Sequence, residues 1–182
     1  MRKLITGLCL LALICAIVFY SCKKEENFSV IPAITFSEFK IFGTDSATCK
    51  INFTDGDGDI GLDPFDTLPP FNLNSRYNSD LFLVYYFQDT LTKVWKPFNL
   101  KALTDTNRLH FDTLQFKYRI PNLTQNGQKK SLQGEIKVRL LPPYTIPYQG
   151  CYCRNYKYKI TLVDRALHVS NEVETGPLPT PP

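Results

Sequence analysis

A chain of 182 residues with two histidines, one methionine and one tryptophan is poorly supplied for several kinds of chemistry. Neither His110 nor His168 stands at ligand spacing from a cysteine, so the sequence offers no zinc site of the imidazole–thiolate kind. It has no G-x-S-x-G, no H-E-x-x-H and no glycine-rich phosphate loop behind a strand, the signatures from which hydrolytic or nucleotide chemistry is read. Asp164, His168 and Ser170 are close in sequence, but catalytic triads are assembled across a fold, and His168 reads as a solvated histidine beside a turn. Basic residues form no block: 21 Lys and Arg against 17 Asp and Glu give a net charge of +4 spread along the chain. Nucleic acid is therefore not an expected partner. Helical periodicity is missing as well, and with it the helical fold classes.

The one long apolar run is N-terminal. Arg2 and Lys3 precede an uncharged stretch from Leu4 to Tyr20, and Ser21, Cys22, Lys23 and Lys24 end it abruptly. This is the layout of a secretory signal peptide, marginal in length for a membrane span. Val18-Phe19-Tyr20-Ser21-Cys22 resembles a lipobox, where bacterial lipoproteins are cleaved and acylated on cysteine. The resemblance implies that Cys22 becomes the first residue of the mature chain and holds it to a membrane, each buried methylene contributing about 0.8 kcal/mol. Cleavage there leaves 161 residues, enough for one domain with one core. Lys24-Glu25-Glu26 serves at least as a solvated tether. It is also similar to the short signal that sends some Bacteroidota lipoproteins to the outer face of the outer membrane; the periplasmic face is the alternative. The expected organisation is a signal peptide at 1–21, an acylated N-terminus and tether at 22–32, a β-domain at 33–176 and a proline-rich tail at 177–182.

Period-two alternation fills the mature chain. Ile34 and Phe36 share a face, then Phe39 and Ile41, so a bulge is expected near Ser37. Ala47, Cys49, Ile51 and Phe53 alternate cleanly, and so do Leu114, Phe116, Tyr118 and Ile120. Leu132, Ile136, Val138 and Leu140 repeat the pattern, followed by Tyr156, Tyr158, Ile160 and Leu162. "DLFLVYYF" from Asp80 is apolar throughout, as suits a central strand covered on both faces. About seven or eight short strands punctuated by turn residues predict an all-β fold, a single antiparallel β-sandwich. Its longest irregular segments are 61–79 and 142–154. Phe71, Tyr144, Tyr148 and Tyr152 on them form either a lid over the sandwich or a stacking platform for a sugar or protein partner.

Three motifs recur together: Phe53 to Gly61 ("FTDGDGDIG"), Arg119 to Thr124 continuing through Gly127, Lys130 and Gly134-Glu135-Ile136, and Asp164 to Asn171 ("DRALHVSN"). In this order they resemble a family of Bacteroidota outer-membrane lipoproteins with immunoglobulin-like or fibronectin type III-like domains. The resemblance runs from about residue 33 to 176. It implies that sandwich type and an envelope location; the family carries no assigned enzymatic activity, so the resemblance leaves function open. Cys151-Tyr152-Cys153 departs from the pattern.

The first motif carries the chemistry. Asp55, Asp57, Asp59, Asp63 and Asp66 follow directly on a core strand. Alternate spacing of the first three lets a curled loop aim them at one point, with Gly56 and Gly58 free to take positive φ. Hard oxygen ligands in such number suit a structural Ca²⁺, which takes six to eight of them. The loop is not an EF-hand, because Ile60 and Asp66 stand where glycine and glutamate belong and no helices flank it. The competing reading is an acidic turn built from two Asp-Gly pairs. Asp164, with Asn171, would complete the cage only if one apparent strand continues another. Strict up-and-down alternation sends residue 164 to the opposite end, where it would only cap a turn.

Three cysteines remain after acylation, Cys49, Cys151 and Cys153, in a disulfide-permissive compartment. A disulfide from Cys49 to either of the others would join an early strand to a late one. Taken together, the expectation is a non-enzymatic, calcium-stabilised lipoprotein serving as a binding or accessory module at the outer membrane, with a protein or glycan ligand. The alternatives are a ligand-free structural subunit of an envelope complex and a glycan-processing hydrolase accessory. Five aspartates on one loop suit a cation better than the paired, separated carboxylates of glycoside chemistry. Metabolic labelling with an acyl donor should mark the wild type and be lost in Cys22→Ala; retained label would remove the anchor.

Overall fold

The computed structural model describes residues 27–43, 45–99, 113–124, 130–141 and 155–179. They form two antiparallel sheets and no α-helix; one short 3-10 turn spans Arg76–Asn78. The first sheet has β1 (Ala33–Phe42) and β6 (Leu132–Leu140) on either side of β2 (Ser46–Asp55). In the second, β3 (Leu81–Gln88) and β7 (Asn155–Leu162) are central. β4 (Trp95–Pro97) and β5 (Gln115–Tyr118) both pair antiparallel with β3, on different parts of it. They are two halves of one edge strand, joined through the Asn99–Thr113 bridge at the base of the excursion between them. β8 (Val173–Glu174) and β9 (Leu178–Pro179) line the other edge along β7 in the same way. Three strand positions therefore face four, the division of an immunoglobulin-like or fibronectin type III-like sandwich.

The core follows from alternation. Ala47, Cys49, Ile51 and Phe53 of β2 and Ile136, Val138 and Leu140 of β6 are buried against Leu81, Leu83 and Tyr85 of β3 and Tyr156, Tyr158, Ile160 and Leu162 of β7. Tyr85 and Tyr156 stack at 5.5 Å between ring centroids, and Phe39 stacks on Tyr158 at the same distance. The register of β1 shifts between Phe36 and Glu38, where the bulge was expected. On the outer phase of β3, Phe82 is buried beneath the Arg76 guanidinium, so this stretch of the strand is covered on both faces. Cys49 is a free, buried thiol, its pKa pushed up to about 12 by burial. Strand alternation places Cys49 as an apolar core residue with no disulfide partner among the described residues, and its two expected partners fall outside them. Cys22, Cys151, Cys153, Tyr144, Tyr148 and Tyr152 lie outside the described residues.

The two sheets are tied at one end by Asn171. Its side-chain Oδ1 accepts from the Ile34 amide at 2.8 Å and its Nδ2 donates to the Ile34 carbonyl at 2.8 Å, so it acts as a peptide unit in trans at the start of β1. Asn171, a conditional candidate to complete the cage, has both side-chain polar atoms engaged by the backbone of Ile34. Removing both bonds leaves two strand groups unpaired, and Asn171→Ala should cost about 1–3 kcal/mol in urea unfolding. An unchanged midpoint would show that β1 is held without it.

Candidate functional site

β2 carries its inward phase one step past the apolar residues. Ala47, Cys49, Ile51 and Phe53 are followed at the next inward position by Asp55, whose side chain is fully buried at 0 % exposure. The loop that follows curls back over this carboxylate. Asp59 N donates to Asp55 Oδ2 at 2.9 Å, and Asp59 Oδ2 accepts in turn from Ala166 N at 3.0 Å. Asp55, Asp57 and Asp59 each bring one carboxylate oxygen within 4.8 Å of the others. Asp55 Oδ1, Asp57 Oδ1 and Asp59 Oδ1 are buried and accept no hydrogen bond. Burial, with the Asp57, Asp59 and Asp164 charges adding to it against the Asp59 hydrogen bond, pushes the Asp55 carboxyl up to about 6. Burial, then Asp164 and Asp57, raises Asp59. Three carboxylates, each with a buried oxygen that accepts no hydrogen bond, gather here with no Lys or Arg paired to them among the described residues, and a divalent cation with a preference for hard oxygen would supply the counter-charge.

Glycine makes the curl possible, though not as the sequence suggested. Gly58 has φ +69°, and any side chain there would also strike the Lys130 carbonyl. Gly56 is not in the left-handed region; it is needed because a Cβ would run into the backbone of Phe28 and Ser29, whose carbonyl accepts from Gly56 N at 2.8 Å. Beyond the aspartates, the loop zips onto the segment after β5: Leu62 N donates to Ile120 O at 2.8 Å and Leu123 N to Ile60 O at 3.0 Å. The Thr124 hydroxyl donates to the Gly58 carbonyl.

Asp63 and Asp66 are held elsewhere. Arg165 Nη1 bonds Asp63 Oδ2 at 3.1 Å and Asp66 Oδ2 at 2.6 Å, and its Nη2 reaches Asp66 Oδ1 at 3.2 Å. The Arg119 guanidinium donates to the carbonyls of Asp63, Asp66 and Asn78. These two aspartates thus clamp the loop to two arginines, a role that spacing alone does not reveal, although Arg119 and Arg165 both sit inside the motifs quoted above. The geometric set narrows from five to three.

Asp164 does reach the same end. The continuation of β4 into β5 adds one strand without reversing direction, so β7 arrives at the pole where β2 ends. There Asp164 is close enough to raise Asp55 and Asp59 electrostatically, while its own oxygens are engaged: Oδ1 accepts from His168 N at 2.7 Å and Oδ2 lies 2.9 Å from His168 Nδ1. It caps the tight turn whose Leu167 sits at φ +69°. Ser170 turns away to the Leu162 amide and the Asn171 carbonyl, so no Asp–His–Ser relay is assembled.

Compared with protein-family models, curated proteins and solved structures, the chain gives no match. The site must be read from its own residues.

Sequence reasoning also passed over Asp80. It is 3 % exposed at the mouth of β3, where Oδ1 accepts from Ile120 N at 2.7 Å and its backbone joins Tyr118 and Val163. It borders a cleft shared with Leu62, Phe71, Tyr77, Asp164 and Leu167. Burial pushes its carboxyl up to about 6, against its hydrogen bonds and the Arg119 charge. A raised carboxyl pKa means the native state holds a proton that the unfolded chain, near 3.9, releases first. Its contribution is therefore complete below about pH 4 and lost as pH rises through about 6. Asp80→Asn keeps an acceptor for Ile120 without the charge, so the variant should gain stability on the wild type between pH 4 and 7, by about 1–3 kcal/mol. A difference between the two that does not change with pH would refute the assignment.

Proposed function

We propose that this protein is a non-enzymatic lipoprotein, anchored through acylated Cys22 at the outer membrane, whose β-sandwich is stabilised at one pole by calcium. It serves as a binding or accessory module. The observation that carries the metal is that Asp55, Asp57 and Asp59 bring carboxylate oxygens within 4.8 Å of one another while each keeps a buried oxygen that accepts no hydrogen bond. Asp55 and Asp59 each give one oxygen to a backbone amide and keep the other for the ion, a division that fixes the loop and leaves ligands facing inward. Three carboxylates supply part of a Ca²⁺ shell, and water or backbone oxygen would complete it. Such a site suits the weak binding of extracellular modules, with Kd around 0.1–1 mM. The anchor is supported by the N-terminal sequence, and the accessory role by a pole whose described side chains are engaged in holding the loop.

Ten millimolar calcium at that affinity adds roughly 1.4–2.7 kcal/mol by mass action. For a chain of this size that is a rise in Tm of roughly 3–10 °C. Asp57→Asn should abolish the rise, yet melt no lower than the wild type in chelator, because it removes repulsion from Asp55 and Asp59. A wild type indifferent to calcium in both melting and titration calorimetry would leave the loop as an acidic turn.

A further inference from the structure

The pole that bears the acidic loop also carries the chain's way out toward Cys22. Residues 28 and 29 pack on Gly56 so closely that only glycine fits beneath them, and the Ser29 carbonyl accepts from Gly56 N. The path of the N-terminal segment is thereby fixed to the loop, one residue from Asp55 and Asp57. From Asn27 back to Cys22 there remain five links, which span at most about 18 Å fully extended. An acylated Cys22 therefore keeps this pole within that distance of the lipid.

The same pole displays the large apolar side chains that a soluble surface would be expected to hide. In the loop following the aspartates, Phe65 is 90 % exposed, Leu68 77 % and Leu73 85 %. Val30 and Ile31, where the chain enters β1, are half exposed. The tip around Phe65 is otherwise acidic, but its charges are answered locally: Asp63 and Asp66 are bonded to Arg165, and the Arg119 guanidinium sits on the carbonyls of the same two residues. Both carboxylates of the tip are thus held by an arginine rather than left bare. An apolar loop with its carboxylates paired, beside the anchored end of a chain, has one surface always within reach, and desolvating its apolar side chains there is favourable.

We propose that residues 65–73 form a membrane-docking tip: Phe65, Leu68 and Leu73 enter the interfacial region of the bilayer that holds Cys22, so that the domain stands on its metal-bearing pole. The acyl chains supply attachment and the tip supplies orientation. This inference rests on the lipid-anchor reading above, and the occupant it commits to is lipid.

The full acylated chain, reconstituted into vesicles of phosphatidylethanolamine and phosphatidylglycerol brominated on their acyl chains, provides the test. The wild type has Trp95 alone, at the far end of β3, roughly 25 Å from the tip by strand rise. Phe65→Trp and Leu73→Trp each add a reporter at an exposed position. Docking predicts blue-shifted, lipid-quenched emission from both added tryptophans, several-fold stronger than any quenching of Trp95, and protection from aqueous acrylamide. A chain that floats with the vesicles while both reporters stay acrylamide-accessible and unquenched overturns the docking and keeps the anchor. A chain with no acyl mass on Cys22 and no flotation overturns both. Protection that occurs in native envelope membranes but not in protein-free vesicles overturns the lipid assignment in favour of a protein partner.

Discussion

The strand alternation that builds the core does not stop where the apolar residues stop. β2 turns every second side chain inward from Ala47, and the fifth of these is Asp55, as buried as the core leucines Leu83, Leu140 and Leu162. A carboxylate in that position is costly unless something satisfies it. Much of the loop architecture at this pole answers that cost. The Asp59 amide takes one oxygen, the turn after β7 secures Asp59 in its place through Ala166, and Gly58 gives the chain the left-handed step that closes the curl. What these bonds leave over is three inward oxygens without partners. Hydrogen bonding has been used to hold the carboxylates together rather than to neutralise them.

The sandwich delivers the remaining parts through its broken edges. Because β4 and β5 run in the same direction along β3, the chain reaches 119–124 at the acidic pole, where it pairs with residues 60–62 and brings Arg119 to the loop. The same parity carries β7 to that pole, with Asp164 and Arg165 at its end. Two arginines then take the outer aspartates, while among the described residues the inner three make no ion pair with Lys or Arg and have only the His168 imidazole nearby. Sorting five carboxylates into a paired set and an unpaired set is a selective arrangement. A loop whose only task was to turn the chain could have had its inner aspartates paired as well.

Much of this was legible in the residues. Inward and outward phases in β1, β2, β6 and β7, the bulge before Glu38 and the sandwich itself follow from period-two patterning, because burial on one face is what those patterns encode. Spacing also singled out Asp55, Asp57 and Asp59. What could not be read was parity: nothing in "TKVWKPF" and "LHFDTLQFKYRI" says that they lie end to end on one edge, since that depends on the partner strand. Asp63, Asp66 and Asn171 were misassigned for a related reason. A carboxylate or amide near a cluster in sequence reaches whatever lies closest in space, and Arg165 and Ile34 are 99 to 137 residues away along the chain. Asp80, masked in sequence by the apolar run it opens, gave no signal at all beyond its position at the mouth of a strand.

Position, more than chemistry, gives the acidic pole its meaning. The bond between Gly56 N and Ser29 O sits between two of the three convergent carboxylates, so whatever fixes the curl also fixes the point where the chain departs toward Cys22. Under the calcium reading, an ion at Asp55, Asp57 and Asp59 acts on a segment already braced by Arg119, Arg165 and the 120–123 pairing, and needs to order little more. Weak binding is then sufficient: little binding energy goes into folding the loop, and the affinity falls where external calcium is plentiful. Under the same reading the braced loop is a rigid mount for the segment that leads back from it to residue 29.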